Sequence, residues 1–417
     1  MFYESTTLDN GVNVVSEHMD GVRSLSLGIW FRVGSRDETA DQLGISHFME
    51  HMMFKGTEKR STLDISMAFD AMGAELNAFT SKEYTCYYAR ILDQNLDRAF
   101  EILGDMVCNS VFSQDEINSE REVVIEEIAR SEDVPDDHIF DVFTEAMFPS
   151  HPLGRPVAGT REIVGAFKHE DCVAYHEKHY HAGNVTVVAS GSVDHAKLVE
   201  LCEKYLGSMK PGTANDRGAV PPQDAKSQAF VQKETEQAHL LYGLPGIPLG
   251  DDDRFAGKLM ETALGGPMSS RLFQEVREKR GLAYAVFSTT LAYMNAAQFA
   301  VYCGTRAENL EQVVTIVREQ LELMLNKGVD KDELERVRQY VLGQTILGME
   351  ATRSRMTRLG GALVNGLPVL SLDEIIERYN AVTQDDIMRV ANRVLTGTPT
   401  VAVISPRDTD ELKAALA

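Results

Sequence analysis

Two stretches decide the fold between them: ARILDQNLDRAF (89–100) and CGTRAENLEQVV (303–314). Each reads as the end of a β-strand running into an amphipathic helix, with Asn95 matching Asn309. Further matches keep the same order. SQDEINSEREVVIEEI (113–128) corresponds to VDKDELERVRQYVLGQ (329–344), and NVTVVASGSVD (184–194) to TPTVAVISPRD (398–408). Chance likeness between helices would not keep order and offset, so the chain reads as one unit written twice. Alternating runs such as Leu25–Val33 and Tyr84–Leu92 look like antiparallel partners, and long amphipathic helices follow them. The fold class expected is therefore α+β: two tandem homologous domains, each an antiparallel-rich sheet with helices on one face. KPGTANDRGAVPPQ, rich in proline, glycine and small polar residues, marks a linker at 210–223 between domains at 1–209 and 224–417.

Composition agrees with this size and narrows the partners. A chain of 417 residues with 43% apolar side chains fills more than one core. Its 41 basic and 63 acidic residues give a net charge of −22. That argues against nucleic acid or an anionic membrane, which need clustered Lys and Arg. A cationic partner such as a basic peptide suits the balance, as does plain surface solubility. There is no apolar run long enough for a signal peptide or a spanning helix. The five cysteines are widely spaced with no C-x-x-C pair, which reads as free thiols in a reducing compartment. The expected location is cytoplasmic.

The chemistry concentrates in GISHFMEHMMFKGT (44–57), which holds H-x-x-E-H as His47, Glu50 and His51. On a helix, residues four apart share a face, so both imidazoles can aim at one point with Glu50 beside them. Leu43, Ile45, Phe48, Met49, Met52 and Phe54 surround them, so the helix should be buried. A glutamate buried between histidines is costly unless a metal compensates. Zinc needs a third protein ligand and keeps a fourth position open. The helix opened by the Ser113-x-x-Glu116 capping box offers candidates, since Ile117, Glu120, Val124 and Glu127 share one stripe. Read alone, its two carboxylates serve equally well as salt-bridge partners; a metal lacking a ligand favours the site.

At this point a resemblance becomes specific. HFMEHMMFKGT followed by EREVVIEEI resembles the M16 peptidases, the inverzincin family of pitrilysin, insulin-degrading enzyme and mitochondrial processing peptidase. GAELNAFTSKEYT (73–85), HPLGRPVAGT (151–160) and GGPMSSRLFQEVREKRGLAYAVFS (265–288) are similar to family segments. The length and the repeat resemble its two-domain subfamily. The resemblance implies one Zn2+ per chain held by His47, His51 and Glu127, Glu50 activating a zinc-bound water, and Glu120 as a supporting carboxylate. It implies that Arg277 and Tyr284 reach the active site from a different domain; by themselves they are an arginine on a helix and a tyrosine starting a strand. It also implies that Asn77, Ala78 and Phe79 form a sheet edge that takes substrate in as an added strand.

The second half has Lys258, Glu261, Thr262 and Gln344 in the register of the four site residues, so it should hold no metal. His176, His179 and His181 read as a helix-end cluster rather than a second metal site. Gly265-Gly266 lacks the G-K-[ST] of a phosphate loop and reads as a turn, with Pro267 where relatives commonly have glycine. The expected protein is a zinc metalloendopeptidase acting on peptides or unstructured segments. It is expected to be a homodimer whose active site the partner's second domain completes. A non-catalytic subunit of a heterodimeric peptidase and a narrow-specificity presequence-processing enzyme are the alternatives.

Overall fold

The stretch Ser24–Phe31, SLSLGIWF, shows how the sheets are covered. Leu25, Leu27, Ile29 and Phe31 alternate onto one face and lie in a large apolar core. Ser26, Gly28 and Trp30 point to the other face, where two small residues leave room for a packed element. The computed structural model, which describes residues 2–215, 217–218 and 228–416, shows what fills that room.

The chain divides into two compact units, each built from separated stretches. The first gathers Met1–Ala129, Arg155–Gly218 and Gly348–Val369; the second gathers Arg130–Gly154, Ala219–Leu347 and Leu370–Ala417. In the first, β1 (Glu4–Thr7), β2 (Asn13–His18), β3 (Ser24–Phe31), β4 (Glu75–Thr80), β5 (Thr85–Leu92) and β6 (Val185–Gly191) lie in the order β1-β2-β6-β3-β5-β4. In the second, β7 (Gln228–Gln232), β8 (Ala238–Pro245), β9 (Ala283–Ala292), β10 (Ala297–Thr305) and β11 (Thr400–Ser405) lie in the order β7-β11-β8-β10-β9. The two sequences of neighbours correspond strand for strand once β1 is set aside. The one parallel pairing of each sheet also corresponds, β2 with β6 and β7 with β11. The repeat seen in the sequence is thus a repeat of topology, and the α+β class with antiparallel-rich sheets holds.

Most helices pack on one face of each sheet, but the opposite face is covered too. In the first unit this cover is helix Thr352–Val364, from late in the chain. Its Met356, Leu359 and Val364 pack on Trp30, Tyr88 and Val188. A Cβ on Gly28 would lie 2.7 Å from Met356 Sδ, so the glycine makes the space. Ser26 and Thr352 hydroxyls bond at 2.9 Å, and Arg355 pairs with buried Glu17. In the second unit the cover is helix Pro135–Met147, from early in the chain. Its Ile139, Phe143 and Met147 pack on Leu241, Tyr302 and Ile404. Here Gly243 makes the space, since a Cβ there would stand 2.5 Å from the Phe143 ring. Each half of the sequence therefore lends one helix to the other's sheet, so neither unit is a contiguous stretch such as 1–209 or 224–417. Of the linker at 210–223, residues 210–215, 217 and 218 are described and fall in the first unit; the rest lies outside the described residues.

Two adjacent glycines of the lent helix test this packing. A Cβ at Gly360 would meet the Trp30 ring at 2.1 Å, whereas Gly361 has nothing within 4 Å. Helix propensity alone favours alanine by about 1 kcal/mol at either position. Overpacking costs about 1–3 kcal/mol. Denaturant titration should therefore find Gly360→Ala less stable than the parent and Gly361→Ala equal or more stable.

Candidate metal centre

Helix Ile45–Met52 begins at Gly44, whose φ of 90° is left-handed and where a Cβ would stand 2.5 Å from Ala158 O. The first N–H groups of a helix lack intrahelical acceptors. Here the carboxylate of Glu38 supplies them, accepting from Gly44 N and Ser46 N at 2.8 Å each. Ile45, Phe48, Met49 and Met52 sink into the core, which fixes the rotation of the helix and turns His47, Glu50 and His51 together toward one side.

Opposite stands helix Gln114–Asp133. Its Ile117, Glu120, Val124 and Ile128 are buried, while Glu127 is half exposed. One ligand atom each from His47, His51 and Glu127 lies within 4.8 Å of the others. Glu127 Oε2 is 3.4 Å from His51 Nε2 and 3.7 Å from His47 Nε2. Donors at zinc distances in a tetrahedral shell would be about 3.3 Å apart. Two imidazole nitrogens and one carboxylate oxygen are also the donor set zinc prefers, so these residues fit the ion. His51 Nδ1 donates to Glu120 Oε1 at 2.7 Å, which fixes the tautomer and leaves Nε2 as the ligand atom. Lys55 pairs with the other Glu120 oxygen. His47 Nδ1 is buried without a hydrogen-bond partner, so packing alone orients that ring.

Burial and neighbours set the protonation states. Burial, with the neighbouring His51 cation, pushes His47 down to about 4, so the ring is neutral near pH 7, as metal ligation requires. Burial also works against charge on His51, but Glu120, Glu127 and Glu50 outweigh it and raise that ring's pKa. Glu120 experiences the converse: burial favours its neutral form, and the bonds from His51 and Lys55 overcome this and hold it ionised. Glu50 is raised by burial, against the pull of Thr80, whose hydroxyl donates to Glu50 Oε2 at 2.6 Å.

The structure thus brings His47, Glu50, His51, Glu120 and Glu127 together. Asn77, Ala78 and Phe79 lie on β4, which ends at Thr80 and pairs with β5 alone among the described residues. The Ala78 N–H donates to Asn77 Oδ1 at 2.8 Å. Arg277 and Tyr284 belong to the second unit, where they form a pair. The guanidinium lies 4.6 Å over the Tyr284 ring and donates to Tyr284 O at 3.1 Å; the tyrosine itself is 77% exposed. In the same unit Lys258 is ion-paired with Glu261, and the Thr262 hydroxyl bonds Lys258 O. A cavity of about 240 Å³ with Ile247, Phe255, Lys258, Glu261, Phe299 and Tyr379 in its lining lies at that register. His176 Nε2 bonds Val107 O, and His179 Nδ1 lies 3.4 Å from Asn215 Nδ2.

Sequence reasoning missed Glu38, Lys55 and Thr80. Lys55 was within reach, four residues after His51 and just past the end of the same helix. Thr80 follows the alternation of 73–85, but nothing local links it to Glu50. No helix among the described residues is long and apolar enough to cross a membrane, and the five cysteines are free.

Comparison with known proteins adds the relatives. Residues 13–161 match the family model described as insulinase, peptidase family M16, and residues 166–341 match that of the peptidase M16 inactive domain. An uncharacterized zinc protease of Streptomyces coelicolor is 42% identical over 96% of this chain and 89% of its own. Another from Bacillus subtilis is 38% identical over 96% and 97%. Among solved structures, a protease from Helicobacter pylori superposes with a TM-score of 0.88 at 24% identity, covering 97% of this chain and 99% of that one. A peptidase M16 inactive domain structure from Pseudomonas fluorescens gives 0.91 at 20%, covering 98% of both chains. These two bear on the fold.

Glu38 yields a prediction about the ligand helix. Burial raises its carboxyl from 4.5 to about 7, against the bonds from Ser46 and Gly44. The folded protein therefore holds this proton more tightly than the unfolded chain. The associated stability is fully present below 4.5 and is lost as pH rises through about 7. Its upper bound is about 3 kcal/mol. Melts of the metal-free protein from about pH 5 to 8 should fall with pH, and Glu38→Gln should flatten that fall.

Proposed function

The chain belongs to the M16 family of peptidases, and on that footing we propose that it is a zinc-dependent metalloendopeptidase acting on peptides or unstructured segments. The observation that carries the reading is the convergence of His47, His51 and Glu127 beside a Glu50 carboxylate held by Thr80. His47, His51 and Glu127 hold one Zn2+, which when bound supplies Lewis acidity toward water and the scissile carbonyl. Glu50 accepts a proton from the attacking water and returns it to the leaving amine. Its raised pKa suits both tasks, since a base poised nearer neutrality also gives its proton back. Thr80 keeps the carboxylate aimed, and Glu120 keeps His51 Nε2 directed at the metal position.

The open edge of β4 supports binding of substrate as an added strand, whose carbonyl would replace the Asn77 side chain on the Ala78 N–H. This favours extended chain over folded protein, with modest sequence choice. The net charge of −22 makes basic peptides the preferred class. The first unit is the catalytic one and the second is metal-free. The protein acts as a homodimer in the cytoplasm, in which the Arg277–Tyr284 pair of one subunit completes the partner's site and meets the developing oxyanion.

Glu50→Gln should keep its zinc and lose about 10²–10⁴-fold in kcat. Glu127→Gln should lose the metal, measured by elemental analysis after dialysis. Cleavage mapping on a mixed peptide library, with and without chelator, tests the reading as a whole, and chelator-insensitive cleavage would refute it. Mixing Glu50→Gln subunits with Arg277→Ala/Tyr284→Phe subunits should restore activity. No recovery in confirmed mixed dimers would sink the exchange between subunits.

A further inference from the structure

Behind the metal centre, within the first unit, lies a buried ion network that the chemistry above does not use. Arg217, in the segment leading out of that unit, has its side chain almost fully buried. Its guanidinium forks onto Asp37, Nε to Oδ1 at 3.0 Å and Nη2 to Oδ2 at 2.9 Å, and Nη2 also donates to Glu83 O. Arg36 completes the ring, donating to Glu83 Oε1 at 2.6 Å and to Arg217 O at 3.2 Å. Such a network has two uses in principle: to stabilise the fold, or to hold particular backbone segments in register. Buried ion pairs are weak evidence for the first, because desolvation offsets most of their attraction.

The surrounding backbone points to the second. The segment Gly34–Asp37 lies against the turn that joins β4 to β5. Ser35 N donates to Ser81 O at 3.2 Å and Arg36 N to Lys82 O at 2.8 Å. A Cβ on Gly34 would lie 2.3 Å from Ser81 O, so the approach is close enough to require glycine. Ser81 N in turn donates to Tyr84 O at 2.8 Å, closing the turn. Thr80, the residue before that turn, is the one whose hydroxyl holds Glu50. Arg217 grips both sides of this joint, Asp37 on one segment and the Glu83 carbonyl on the other.

We propose that Arg217 is a positioning residue for the hydrolytic reaction: by clamping Asp37 to the Ser81–Tyr84 turn it fixes Thr80, and through Thr80 the aim of the Glu50 carboxylate. The proposal rests on Glu50 being the general base. Its physical basis is that a bidentate guanidinium fixes direction as well as distance, which a lysine ammonium does not. A reacting group displaced by about 1 Å can lose on the order of 10²-fold in rate.

The test uses the full chain with Arg217→Ala, Arg217→Lys, Thr80→Val, and Arg217→Ala combined with Thr80→Val. Arg355→Ala serves as control, since it breaks another buried ion pair of the same unit, with Glu17, on the face covered by the lent helix. Amide hydrogen exchange is read on the metal-free protein, and kcat and KM on the zinc-loaded one. In Arg217→Ala, exchange at Arg36 and Ser81 should quicken about tenfold or more. Its kcat should fall about 10–100-fold with KM and zinc content little changed. Arg217→Lys should fall between it and the parent, and it is the variant to read if Arg217→Ala does not fold. The double variant should be no worse than the weaker single one, because both act on one element. Arg355→Ala should lower the melting temperature and leave both readouts alone. Unchanged exchange at Arg36 and Ser81, multiplicative losses in the double variant, or an equal kcat loss in Arg355→Ala would each overturn the proposal. If the parent protein cleaves no peptide, it is the peptidase reading that fails, and exchange at Arg36 and Ser81 then decides whether Arg217 clamps the turn that carries Thr80.

Discussion

Two backbone N–H groups, those of Gly44 and Ser46, close on one buried carboxylate, Glu38, and the geometry of the metal centre depends on that closure. A helix of eight residues has few internal hydrogen bonds, so its direction is set by what holds its ends. Glu38 holds the start, the apolar residues hold the rotation, and the two imidazoles can then meet Glu127 from the facing helix. Buried carboxylates recur around the site. Glu38 meets backbone amides, Glu120 meets His51 and Lys55, and Glu83 meets Arg36, so each is compensated by donors suited to its own place. Glu50 is held by Thr80 beside the histidines, and burial raises its proton affinity against that bond.

How much of this could be read in advance follows from distance along the chain. His47, Glu50 and His51 lie within one and a half helical turns, so periodicity alone puts them on one side. Glu120 and Glu127 are a heptad apart on a helix whose cap is written in Ser113 and Glu116, so their shared stripe was legible as well. Their meeting with the histidines was an inference from metal chemistry and from family resemblance; in the structure Glu120 bonds His51, and Glu127 lies near both imidazoles. Glu38 and Thr80 were not legible, because their bonds to the ligand helix arise from tertiary packing and leave no periodic trace. The Arg277–Tyr284 pair was named from resemblance alone. The structure adds that the two residues touch each other, which no spacing rule would have indicated.

The lent helices illustrate another limit of local reading. Met356, Leu359 and Val364 announce an apolar stripe, but a stripe does not say which sheet it will cover. The clue was on the receiving side, in the small residues of β3: Ser26 and Gly28 interrupt a strand that otherwise reads as doubly apolar. Gly243 gives the same sign on β8. A small residue in a central strand is a vacancy for a neighbour, and each half places its own: by pairing register Gly28 corresponds to Leu241, and Gly243 to Trp30.

That exchange also orders events during synthesis. The first sheet is complete once β6 has emerged, yet its second face stays bare until residues near Val364 leave the ribosome. Through more than a third of translation the nascent chain presents Trp30, Tyr88 and Val188 to whatever is nearby. The helix Pro135–Met147 waits in the same way for a sheet not yet made. Neither unit can finish without the other's polypeptide, so a cut between the halves would divide two cores rather than release two proteins.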